Sequence, residues 1–146
     1  MKEAERILSA LESVQITADP EEVSRKVLEV ILSSTEYKGG FLYLEPVDLT
    51  AYAGVPRRKA DKLKESIRSE MAGPLERGEI SFLWWLDRAR RIAVVPISSG
   101  GRRIGFLCLE AGAEGTTQTP EMLKALGEAI GDKLKASLSL KGNKGG

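Results

Sequence analysis

The chain has 146 residues, 42% apolar and 29% charged, with 22 basic against 21 acidic side chains, a net charge of +1, no histidine and one cysteine. That length suits one domain with one core, and so even a charge balance gives no global pull toward nucleic acid or an anionic membrane. Without histidine there is no Ser-His or Cys-His nucleophile pair, and one cysteine with carboxylates makes no ordinary zinc site, so no catalytic residue, metal or cofactor is expected.

Apolar positions at Ala4, Ile7, Leu8, Leu11 and Val14 recur at three- and four-residue steps and predict an amphipathic helix over residues 1–18. Asp19-Pro20-Glu21-Glu22 supplies a cap, a proline at the first helical position and an early carboxylate, so a second helix begins there. Its stripe is Val23, Val27, Val30 and Ile31, and it ends near Ser34, before Gly39-Gly40. Phe41-Leu42-Tyr43-Leu44, between glycine and proline, reads as a strand buried on both faces. Leu49 to Ala53 follows across a turn at Pro46-Val47-Asp48, which makes an antiparallel hairpin. From Arg57 to Met71 only Leu63, Ile67 and Met71 mark a narrow apolar edge on a charged helix.

Three further extended runs follow: Ile80 to Leu86, then Ile92 to Ile97 after a charged turn at Asp87 to Arg91, then Ile104 to Glu110 after the Ser98 to Gly101 turn. Residues 112–117 form a polar loop, and Thr119-Pro120-Glu121 caps a last helix carrying Leu123, Leu126, Ile130, Leu134 and Leu138. That helix is expected to stop near Gly142 and the tail, 142–146, to be disordered. The pattern is α+β, with a central antiparallel sheet of five to six strands.

The single cysteine, Cys108, suits a reducing cytoplasm. No apolar run reaches the roughly 18 to 20 residues of a membrane span, and Met1-Lys2-Glu3-Ala4-Glu5 lacks the apolar core of a secretory signal. A cytoplasmic protein without membrane contact is the expectation.

Three segments carry a family likeness: Gly40 to Leu44 after an amphipathic helix, Met71-Ala72-Gly73 leading through Leu75 to Glu79 into a strand, and Val95-Pro96-Ile97 followed by a glycine turn and Ile104 to Leu109. In this order the chain resembles the GAF domain family from about Asp19 to Leu140, giving a domain at 19–141. The resemblance implies a profilin-like fold, with the first, second and last helices on one sheet face and a ligand pocket on the other, roofed by the middle helix. It also implies a sensory or regulatory domain of a signal-transduction protein, such as a two-component system, whose end helices pair in a homodimer and lead to an output domain or kinase. A structural dimerisation module without ligand is the alternative.

Family members that hold linear tetrapyrroles use a cysteine usually followed by histidine, and those that reduce free methionine sulfoxide use more than one cysteine; neither pattern is present. For a small molecule, Tyr43, Tyr52, Ser81, Phe82 and Trp84 are the candidate wall, since pockets are largely apolar with a few polar groups. Adjacent Trp84 and Trp85 face opposite sides of a strand, so at most one enters such a pocket. Ile7, Leu11, Leu134 and Leu138 are the candidates for a dimer interface. The basic clusters Arg57-Arg58-Lys59, Arg88 to Arg91 and Arg102-Arg103 are read as solvated, with no nucleic-acid partner. Gly100-Gly101 joins two strands and opens no helix, so it cradles no phosphate.

Overall fold

Asp19 begins the second helix as its sequence requires: the carboxylate Oδ1 accepts from the amides of Glu21 at 3.1 Å and Glu22 at 3.4 Å, ahead of Pro20 in the first turn. The computed structural model describes residues 2–84, 91–111 and 119–145, with side chains described for 5–82, 91–111 and 119–142. In chain order it holds α1 (Lys2–Glu12), α2 (Pro20–Ser34), β1 (Gly39–Leu44), a 3₁₀ turn (Glu45–Val47), β2 (Leu49–Ala53), α3 (Arg57–Glu70), a short α4 (Ala72–Glu76), β3 (Ser81–Trp84), β4 (Arg91–Ser99), β5 (Arg102–Ala111) and α5 (Pro120–Gly145). Helix α5 thus continues past Gly142, where the sequence predicts its stop, and the expected tail falls on its last turn and on Gly146, outside the described residues. The ends of the Ile80 to Leu86 run and of the charged turn after it, and the 112–117 loop, also fall partly or wholly outside them.

The five strands form one antiparallel sheet in the order β2-β1-β5-β4-β3. Strand β1 lies between β2 and β5 and is buried at all six positions, which is why its sequence is a continuous apolar run without alternation. Pro96 lies within β4, where a proline would ordinarily break a ladder. It lies beyond the paired stretch on one side: β3 covers β4 only from Arg91 to Val94, and among the described residues no strand pairs with that edge at Pro96. The β4–β5 turn uses Gly100 and Gly101 at φ of 61° and 78°, the two positive values a two-residue hairpin demands.

One face of the sheet carries α2 against β1 and β2, α5 against β4 and β5, and α1 packed on both helices. Val23, Val27, Leu28 and Ile31 of α2 meet Leu42, Leu44, Val95, Ile97, Leu107 and Leu109 of the sheet and Leu123, Leu126, Ile130 and Leu134 of α5 in one core. Each such side chain contributes about 1.5–3 kcal/mol by leaving water. Two hydrogen bonds stitch α5 to the link between α1 and α2: Lys133 Nζ donates to the Val14 carbonyl at 3.0 Å, and Ser137 Oγ to that of Thr17 at 2.6 Å. The opposite face holds a smaller layer, Phe41, Tyr43, Ile92, Val94, Phe106 and Cys108, closed by Ala60 and Ile67 of α3 with Met71 and Leu75.

Candidate functional site

Side chains alternate across a strand, so β1 sends Phe41 and Tyr43 to the α3 side, and β5 sends Phe106, Cys108 and Glu110 there beside them. Phe106 stacks edge-on to Phe41 with ring centroids 6.1 Å apart and tilted against Tyr43 at 5.6 Å, which makes an aromatic floor. Above it, α3 presents Arg57, Lys59, Asp61, Lys64 and Arg68.

These side chains bind the helix to the floor through its tyrosines. Tyr52 Oη donates to Asp61 Oδ1 on α3, and the Arg57 guanidinium lies 5.5 Å from the Tyr52 ring centre. Tyr43 Oη donates at 2.9 Å to Asp48 Oδ1, while Lys64 and Arg68 both lie 5.2 Å from its ring. Burial first, and then the carboxylates of Asp48 and Asp61 that accept their protons, push both phenols above their usual value. Lys64 Nζ also donates to Thr50 Oγ1 of β2 at 3.2 Å.

Between this floor and α3 lies a narrow cleft, partly open to solvent, lined by Phe41, Val55, Lys59, Ala60, Leu63 and Ile92 with Gly40, Cys108 and Glu110. It has room for about one water molecule. Among the described residues an ion pair crosses it: Lys59 Nζ stands 3.7 Å from Glu110 Oε2, whose side chain is 5% exposed. Cys108 is fully enclosed, and burial, reinforced by the Glu110 charge, pushes its thiol well above its ordinary value. A thiol held protonated is a poor nucleophile.

The structure sorts the five residues expected to wall a pocket. Tyr43 and Tyr52 come together beneath α3, Tyr43 fully buried and Tyr52 half-buried. Ser81 pairs with Val94 and so shares their face, at the far edge of the sheet. Phe82 pairs with Ala93, which belongs to the α2 and α5 core; it stands on the opposite face, 41% exposed, with the Arg91 guanidinium 5.2 Å from its ring. Trp84 pairs with Arg91, and its side chain lies outside the described ones. Of the residues offered to a second subunit, Ile7, Leu11 and Leu134 are buried in the chain's own core, and Leu138 is half-buried.

The basic clusters are also less solvated than their sequence implies. Lys59 turns inward to Glu110, and Arg103, with its side chain 17% exposed, bridges Glu45 of the 3₁₀ turn and Glu76 of α4. Arg88 and Arg90 lie outside the described residues. Glu110 is the residue that the sequence reading passes over. Its signal is a lone carboxylate two places beyond Cys108 and four beyond Phe106, on the buried side of an apolar strand. Among the described residues no group of three metal-ligating side chains is assembled.

No protein-family model matches the chain, and no curated protein sequence matches it. Solved structures do. The GAF domain of a protein assigned as a sensor histidine kinase from Pseudomonas syringae pv. tomato superposes with a TM-score of 0.66 at 16% identity, over 99% of this chain and 90% of that one. The GAF domain of Acinetobacter phosphoenolpyruvate-protein phosphotransferase gives a TM-score of 0.65 at 12% identity, over 97% and 96%. The free methionine-R-sulfoxide reductase of Neisseria meningitidis, solved with its substrate, gives 0.60 at 17%, over 93% and 88%.

Proposed function

The chain has the GAF-domain fold, and from that scaffold we propose that it is a sensory or regulatory domain in which a small molecule lodged beneath α3 resets the helices on the far face. The observation that carries this reading is how α3 is held. Within this helix of 14 residues Ala60 and Ile67 alone are fully buried, and polar contacts add to its attachment: the Tyr52–Asp61 hydrogen bond, the Lys59–Glu110 ion pair and the Lys64–Thr50 hydrogen bond. Helix α2 by contrast buries Val23, Val27, Leu28 and Ile31. An element with few buried apolar contacts opens locally at low cost. A ligand of ordinary size needs a pocket of about 300 Å³ or more, so one that entered this cleft would displace α3. Binding and helix position are thereby coupled.

The far face of the same sheet carries α1, α2 and α5, the route by which a change in the strands reaches an output domain or kinase. A homodimer through the end helices would use Leu138, half-buried, and Leu140, 44% exposed, since Ile7, Leu11 and Leu134 are already covered. The reading is non-enzymatic: disulfide exchange of the sulfoxide-reductase kind needs an accessible thiolate and a second thiol, whereas this chain has one cysteine, enclosed and held protonated. A cytoplasmic site of action suits that thiol, and among the described residues no helix is long and apolar enough to cross a membrane.

A thermal-shift screen of nucleotides, amino acids and other metabolites, followed by hydrogen exchange, tests the proposal. A ligand is expected to raise Tm and to change exchange at α3 more than at α2. The second reading, a dimerisation module with a filled face, is favoured by the cleft's room for about one water. No stabilisation by any compound, with α3 amides as protected as those of α2, would decide for it.

A further inference from the structure

Helix α3 is anchored unequally along its length. Toward its C-terminal end Ile67 is buried, and the chain runs on through Met71, which ends α3 and begins α4, to Leu75; all three lie in the layer beneath. Lys64 and Arg68 reach over the Tyr43 ring, and Arg103 of β5 donates at 2.7 Å to Glu76 of α4. The N-terminal end has little of this. Its one fully buried side chain is the methyl of Ala60, Pro56 supplies no side-chain cap, and the first turn holds Arg57, Arg58 and Lys59 but no acid, against the helix dipole. Asp19, Glu21 and Glu22 do the opposite at the start of α2. The three residues that α3 contributes to the cleft, Lys59, Ala60 and Leu63, all come from this weaker half.

We infer that α3 is a lid that opens from its N-terminal end about an anchor at Ile67, Met71 and Leu75, and that a ligand enters beneath Lys59 and Leu63. The inference rests on the reading of a ligand site beneath α3 and names how that site opens. The burial of the two halves sets the direction. Lifting the C-terminal half brings Ile67, Met71 and Leu75 into water, each a large apolar loss, whereas lifting the N-terminal half exposes Ala60 and the rest of the half-buried Leu63. The Tyr52–Asp61 hydrogen bond latches the closed lid, and its groups exchange it for bonds to water at small net cost. Lys59 carries its ammonium on a flexible four-carbon stem, so its pairing with Glu110 follows the turn as it rises. Gly54, at φ of 70°, gives the link from β2 the backbone freedom to swing with it.

Native-state hydrogen exchange of the unliganded protein tests the inference. The amides of Ala60 to Leu63 are expected to open about tenfold more often than those of Ile67 to Met71, or more. Two conservative variants fix the order of events. Tyr52→Phe removes the latch and is expected to speed exchange in both halves by the same factor, about two- to tenfold, since the half-open and the fully open lid both lack that bond. Ile67→Val trims the anchor by one methylene and is expected to speed Ile67 to Met71 alone, by about two- to tenfold, since a half-open lid keeps that side chain in place. If Ile67→Val speeds both halves alike, α3 detaches as one body, which overturns the inference and leaves the ligand site standing. Opening of Ile67 to Met71 ahead of Ala60 to Leu63, or a Tyr52→Phe variant with Ala60 to Leu63 unchanged, would overturn it too. If α3 is protected throughout as well as Val27 to Ile31 of α2, the inference and the ligand site beneath the helix both fall.

Discussion

Gly131 of α5 rests directly against the carbonyl oxygen of Ser98 on β4, leaving no space for a Cβ between helix and strand. Gly127, one turn earlier, meets the Pro96 carbonyl in the same way, and Ser99 Oγ donates to Asp132 Oδ1 at 2.7 Å beside the contact. Helix and strand therefore meet backbone to backbone. Helix propensity alone gives Gly131→Ala a gain of about 1 kcal/mol. The overlap with Ser98 predicts instead a loss of about 2–3 kcal/mol, toward the upper end of overpacking costs. Urea denaturation decides by the sign of the change.

Cys108 is expected to resist iodoacetamide at pH 8 in the folded protein and to react at an ordinary thiol rate once urea unfolds it. Its raised titration also shapes the alkaline limb of stability. The folded protein keeps a proton that the unfolded chain releases from about pH 9, the thiol's ordinary value. The thiol's contribution is therefore fully present below pH 9 and is lost as pH rises toward the higher folded value, with a slope of up to about 1.4 kcal/mol per pH unit. Tyr43 and Tyr52, also raised, add losses of the same sign from about pH 10. Cys108→Ala should flatten the first part of this fall, as read from Tm between pH 8 and pH 10.

Tyr52→Phe removes the hydrogen bond to Asp61 and keeps the ring beneath Arg57. A loss of about 0.5–1.5 kcal/mol is expected. Its more telling effect is local: amide exchange should speed up in α3 and stay unchanged in α2. Uniform acceleration across both helices would show that the tyrosine supports the whole domain and is no latch.

Leu134→Ala should cost about 2–5 kcal/mol, since it opens a void in the core between α2 and α5. Leu140→Ser, at a position 44% exposed, should stay within about 0.5 kcal/mol at fixed subunit state. Light scattering then separates packing from assembly. If the proposed dimer uses Leu140, this variant shifts mass toward monomer, and a monomer at every concentration of the unsubstituted protein refutes that dimer.

Much of this architecture is readable in the amino acids because local signals agree with the final packing. The Asp19-Pro20 cap, the two-sided apolar run of β1 and the Gly100-Gly101 turn each state a backbone requirement that few other residues meet. Ala72–Glu76 is less readable: its Gly73-Pro74 argues against a helix, and burial of Leu75 under the sheet supplies the reason for one. The site divides similarly. Tyr43 and Tyr52 are recoverable from aromatic content on neighbouring strands, but Phe82 is misplaced because only the register with Ala93 tells which side of β3 it faces. Lys59 was hidden by its company. In sequence it is the third of three adjacent cations, and only the rotation of α3 distinguishes it from Arg58, which is exposed.

The stitches from Lys133 and Ser137 to the Val14 and Thr17 carbonyls give the molecule a property beyond local strength. They occupy acceptors in the link that leaves α1, on residues 120 positions away from Ser137 in the case of Thr17. Fraying that begins at α1 must therefore break α5's grip before it can spread. The first and last helices are therefore expected to open as one cooperative unit, with the amides of Leu11 and Leu134 showing the same free energy and the same denaturant dependence in hydrogen exchange.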